Sequence, residues 1–141
     1  LQAALGIPQI SRLSEIHRTR VNNASRLLEG LSGIPGLELP SIRTRRSHVW
    51  HQFTVRVTND ARLSREALRI ELGSRGIGTG VYYPKALIDY PCYNQHPQVR
   101  VSDVPNSRLL SSQVLSLPVH HGLVAADIDR IVMEVRNTLG A

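Results

Sequence analysis

Tyr82, Tyr83, Lys85, Tyr90, Cys92 and Tyr93 crowd into one stretch, VYYPKALIDYPCY, which holds all four tyrosines, the only lysine and the only cysteine of a 141-residue chain. Each of these residue types can do chemistry. A lysine forms a Schiff base when burial or a cationic neighbour lowers its pKa. Lys85 follows Pro84 in a loop-like segment, and the simpler reading is a solvated lysine or one that meets a phosphate or carboxylate. A cysteine nucleophile needs a base. His96 lies too close along the chain to Cys92 to make an organised pair, so Cys92 reads as a small cysteine that is buried or inert. Four phenol rings supply hydroxyl donors and flat faces, the materials of a polar pocket.

The histidines and glycines offer less. His48 and His51 fall on opposite faces of an extended segment, His120 and His121 diverge, and no carboxylate or cysteine stands at ligand spacing, so no metal site is expected. His51 shares a side with apolar neighbours and is expected to be a hydrogen-bonded core histidine. The run GIGTG, Gly76 to Gly80, lacks the spacing of a dinucleotide fingerprint and reads as a helix cap followed by a tight strand.

These residues must be positioned by a chain the size of one domain, long enough to bury a core without a disulfide or metal staple. A single cysteine fits a reducing compartment. No signal peptide and no apolar run long enough for a membrane span is present, and a cytoplasmic address without a membrane partner is expected. The formal charge is +6, carried by arginines scattered along the sequence, with only Arg43, Arg45 and Arg46 clustered. That is not the one-faced, aromatic-laced stripe of a nucleic-acid surface, so nucleic acid is not an expected partner.

Helical spacing runs through Ile10, Leu13, Ile16, Val21, Ala24, Leu27, Leu28 and Leu31 and stops at Gly33, Pro35 and Gly36, with Pro8 marking a kink or restart. LEL at Leu37–Leu39 is a short strand. In VWHQFTVRV, Val49, His51, Phe53, Val55 and Val57 alternate with Trp50, Gln52, Thr54 and Arg56. Ser64 caps a helix closed by Gly76, IGTGV reads as a strand, Asn106–Gln113 as a short helix and VLSLP as a strand. The last helix carries Ile128, Ile131, Val132, Val135 and Leu139 on one stripe, with Asp127 and Asp129 in its first turn and Arg136 towards its end. The order implies an α+β fold: a small, mostly antiparallel sheet with helices packed on one face.

Taken in order, LQAALGIPQISRLSEIHRTRVNNASRLLEGL…GLELP, HVWHQFTVRV, RGIGTGVYYP and VLSLPVHHGLVAADIDRIVMEVR resemble the C-terminal part of the DegT/StrS-type sugar aminotransferases over about Leu1 to Arg136. The resemblance implies the aspartate-aminotransferase fold and pyridoxal phosphate as cofactor. It implies a nucleotide-linked keto-sugar and an amino donor such as glutamate or glutamine as substrates, and a homodimer as the assembly. It also implies that the cofactor lysine lies in a large N-terminal domain, so that no catalytic residue is expected in this chain and the isolated chain is expected to be inactive. Residues 1–32 would be the connecting helix from that domain and residues 33–141 the small C-terminal domain. The opening LQAALG, which starts mid-pattern without a methionine, gives the same expectation.

The family's His-Tyr-Pro element reads Tyr82-Tyr83-Pro84 here, and its following Pro-Leu-His reads Ala86-Leu87-Ile88. Carried over by position, Tyr82, Tyr83 and Lys85 are expected as substrate contacts. Val124 stands where a Ser or Thr cap is usual. The family also holds dehydratases with histidine in place of the lysine, and two other readings stay open: a stand-alone basic module for nucleotide or nucleic acid, and a non-catalytic dimerisation domain.

Overall fold

Burial sorts the chain into helices and strands that share one core. The structure, a computed structural model, describes residues 2–141. Its elements are α1 (Gln2–Ser11), α2 (Leu13–Leu31), β1 (Leu37–Glu38), β2 (Phe53–Val57), α3 (Arg65–Ser74), a 3-10 turn at Leu87–Asp89, α4 (Pro91–Asn94), α5 (Pro105–Gln113), β3 (Val114–Leu117) and α6 (Ala125–Leu139). The three strands form an antiparallel sheet in the order β1-β2-β3, with Leu37 opposite Val57 and Phe53 opposite Leu117.

One face of that sheet is apolar because the strands alternate. Phe53, Val55 and Val57 point into the core with Leu115 and Leu117, against Ala24, Leu27 and Leu31 of α2, Leu68 and Leu72 of α3, and Ile128, Ile131, Val135 and Leu139 of α6. On the opposite face Thr54 and Ser116 share a hydrogen bond of 2.8 Å, while Arg56 donates to Gln113 at 2.6 Å and to Glu38 at 2.9 Å. The antiparallel α+β sandwich expected from the sequence is the fold observed.

Helix ends are closed by local chemistry. The Ser64 hydroxyl accepts from Ala67 N–H at the start of α3. At its end Gly76, with φ of 76°, lets Ile77 N–H reach Leu72 O at 2.9 Å and Gly76 N–H reach Gly73 O at 3.0 Å, so that the buried Leu72 and Ile77 close the cap. Two arginines of α6 cap its neighbours. Arg136 donates to Gly30 O and Ser32 O at the end of α2, and Arg130 to Arg75 O at the end of α3. Each places a cation on a helix C-terminus, where the macrodipole favours it. Val124 offers no side-chain oxygen, and the missing cap is replaced in reverse: the Asp127 carboxylate accepts from Val124 N–H at 2.9 Å.

Four sequence expectations need correction. The helical interruption falls at Arg12 rather than at Pro8, which sits within α1; the restart shows as Arg12 N–H bonding back to Gln9 O at 3.2 Å. The expected long helix is therefore two, and α1 leaves Leu5, Ile7 and Ile10 about 70% exposed. The alternation in VWHQFTVRV starts only at Phe53. Trp50 takes a φ of 49°, which turns its indole into the core and leaves Val49 and His51 exposed, so His51 is not a core histidine. Arg20 fixes that turn by donating to Trp50 O at 2.8 Å and His51 O at 3.1 Å, and His48 Nδ1 accepts from Trp50 N–H. Finally, IGTGV is no strand: only Gly80 bridges Ser116 at the outer edge of β3.

Candidate functional site

Where the chain enters β2 and leaves β3, the helices and the glycine-rich segment leave a gap. This open cleft of about 810 Å³ runs between Gly76–Gly80, the loop after β3 (Pro118–His120) and the start of β2 (His51 and Gln52). Tyr82 and Tyr83 stand on its rim, 53% and 73% exposed, with their rings edge to face at 6.2 Å between centroids. Gly80 makes that placement possible, because a Cβ there would run into the Tyr82 ring. The glycine that the sequence suggested for a tight strand serves a close aromatic approach instead.

Two cations line the floor and flank of the cleft. Arg20 comes from α2 and Arg130 from α6, and each is anchored through backbone carbonyls rather than a carboxylate. Most other arginines with partners differ: Arg26, Arg56, Arg69, Arg75 and Arg108 each pair with an acid. A guanidinium held by carbonyls keeps its full charge and several N–H donors, so Arg20 and Arg130 leave the cleft with a cationic lining that suits an anionic ligand. Asp127, on the same wall, is engaged in the helix cap described above.

Tyr82 and Tyr83 are thus together at the cleft. Lys85 is not among the residues that line it; it is exposed on the loop beyond and adds its charge to that of Arg108 near Asp89. Cys92 is exposed on α4, without a histidine partner among its hydrogen bonds. No group of three or more His, Cys, Asp or Glu side chains is placed to hold a metal among the described residues. Arg20 and Arg130 escaped the sequence reading because nothing in one sequence separates an arginine that caps a carbonyl from one that pairs with an acid. His51 and His120 also reach the cleft.

The model of the DegT/DnrJ/EryC1/StrS aminotransferase family matches residues 1–136. A protein of Saccharopolyspora spinosa named dTDP-4-dehydro-2,6-dideoxy-D-glucose 3-dehydratase is 34% identical over 136 residues, which cover 96% of this chain and 29% of the relative. The spore coat polysaccharide biosynthesis protein SpsC of Bacillus subtilis (strain 168) is 30% identical over 139 residues, covering 97% and 36%. Among solved structures, S. venezuelae DesV in complex with a ketimine intermediate superposes with a TM-score of 0.88 at 31% identity, covering 99% of this chain and 36% of that one. The chain therefore spans about a third of the length of the proteins it matches.

Proposed function

Because this chain belongs to the DegT/DnrJ/EryC1/StrS aminotransferase family, we propose that it forms the substrate-facing C-terminal part of a pyridoxal-phosphate enzyme that transfers an amino group to a nucleotide-linked keto-sugar. The observation that carries this reading is the cleft: two aromatic hydroxyls on its rim and two guanidiniums without acid partners inside it, a surface suited to a sugar with an anionic tail. In this reading Tyr82 and Tyr83 contact the substrate. Lys85 meets a carboxylate or phosphate from the loop above. Residues 1–32 connect to the remainder of the enzyme, and residues 33–141 form its small domain. The complete enzyme is a cytoplasmic homodimer that takes its amino group from glutamate or glutamine.

The residues of this chain do not by themselves fit a covalently held pyridoxal phosphate. Its one lysine is exposed and stands off the cleft wall. The attachment lysine accordingly belongs to polypeptide outside residues 1–141, and the isolated chain is inactive. What this chain contributes is shape and charge: it binds the acceptor, orients it and screens it from water.

A second reading is favoured by one relative's name, which is that of a sugar 3-dehydratase. One experiment separates the two. The complete enzyme is incubated with pyridoxal phosphate, L-glutamate and dTDP-4-dehydro-2,6-dideoxy-D-glucose, and products are weighed by mass spectrometry. Replacement of the keto oxygen by an amino group supports amino transfer. Loss of water without nitrogen gain supports dehydration, and an unchanged sugar counts against both for this acceptor.

A further inference from the structure

Residues 82–104 are a long excursion with little to hold it. Of their side chains only Ala86 is buried. The segment leaves the fold beside the Gly80–Ser116 bridge and returns into α5, which runs directly into β3 and the core. Between those ends, the only side-chain hydrogen bonds it makes to the rest of the described chain go to one residue, Arg108 of α5.

That contact is a fork. Arg108 Nε donates to both Asp89 oxygens at 3.1 Å, Nη2 donates to Asp89 Oδ1 at 2.9 Å, and Nη1 donates to Asp103 Oδ1 at 2.9 Å. Asp89 ends the 3-10 turn that follows Lys85, and Asp103 lies just before α5. One guanidinium thus clasps the outgoing and returning limbs of the excursion. A planar fork fixes direction as well as distance, which a lysine ammonium does not. The Arg108 hydrogen bonds accordingly hold the Asp89 carboxyl below its ordinary value, the charges of Arg108 and Lys85 adding to the effect.

We propose that Arg108 is a positioning residue for the substrate loop: by clasping Asp89 and Asp103 it sets where Tyr82 and Tyr83 stand at the cleft rim and Lys85 on the loop beyond, and so tunes acceptor affinity without touching the acceptor. The proposal rests on the functional reading above for its kinetic consequence, and on the structure alone for the clasp.

The two are tested separately. In the complete enzyme, hydrogen exchange followed by mass spectrometry on Arg108→Ala and Asp89→Asn should show amides of 82–104 exchanging roughly fivefold faster while those of β2 and β3 are unchanged. The double variant should be no worse than the worse single one, because both remove the same contact. Arg108→Lys should recover part of the protection. In the complete enzyme, with the glutamate and dTDP-sugar pair above, Arg108→Ala should raise the acceptor KM severalfold and leave kcat within about twofold. Unaltered exchange in 82–104 overturns the clasp. Faster exchange with an unchanged KM overturns its role in acceptor binding. A wild-type enzyme that turns over neither substrate counts against the functional reading for this acceptor, while the exchange experiment still decides the clasp.

Discussion

The packed half of the molecule and its open half are stabilised by different physics. In the packed half, α2, α3 and α6 close on one sheet face, and Leu27, Leu31, Phe53, Leu68, Leu72, Leu115 and Ile128 are fully buried. Each such side chain contributes roughly 1.5 to 3 kcal/mol of transfer free energy, in a setting that salt and pH hardly change. In the open half, from Tyr82 to Ser112, only Ala86 is buried, and the side-chain ties are surface ion pairs that solvent and salt screen. The contrast teaches where specificity can vary: the packed half fixes the frame, and the open half presents changeable side chains to whatever faces it.

The largest effects should come from the packed half. Phe53→Ala should cost about 3 to 5 kcal/mol in urea unfolding, enough to unfold many small domains. Gly36→Ala comes next. Gly36 has a φ of 73°, and a Cβ there would overlap the backbone of Ala61. A loss of about 2 to 3 kcal/mol is expected, with a lowered midpoint and an unchanged slope. Arg136→Ala removes the two hydrogen bonds that close α2 and should cost about 1 to 2 kcal/mol by the same measurement.

In the open half the same experiment should read almost nothing. Tyr83→Phe should change stability by less than about 0.5 kcal/mol, yet raise the acceptor KM of the complete enzyme severalfold. A stability loss comparable with that of Phe53→Ala would break the division into two halves. The smallest effect is one of pH. The folded pKa of Asp89 is depressed, so its contribution is present above the unfolded value and fades as pH falls towards the folded one. Protection of the 82–104 amides, once corrected for the slower intrinsic exchange of acid solution, should therefore begin to fall below about pH 4, before the sheet loosens.

Most of the packed half was legible in the sequence, because burial writes itself as periodicity. The stripe of α6, the Ser64 cap and β3 follow from spacing and residue type. Trp50 was misplaced because its left-handed turn rests on Arg20, thirty residues away, and on the His48 ring, neither of which alternation can register. The site was legible only in outline. Tyr82 and Tyr83 stood out by composition and motif. Arg20, Arg130 and the Arg108 clasp depend on tertiary neighbours and on which acceptor each guanidinium finds, and sixteen arginines look alike along a chain.

If this chain shapes only the substrate side, the cofactor lysine lies outside residues 1–141. Borohydride reduction of the complete enzyme loaded with pyridoxal phosphate, followed by peptide mapping, tests it most directly, since Lys85 is the one lysine this chain offers. A stoichiometric phosphopyridoxyl label on a lysine outside this chain, and none on Lys85, is expected. A stoichiometric label on Lys85 would contradict it.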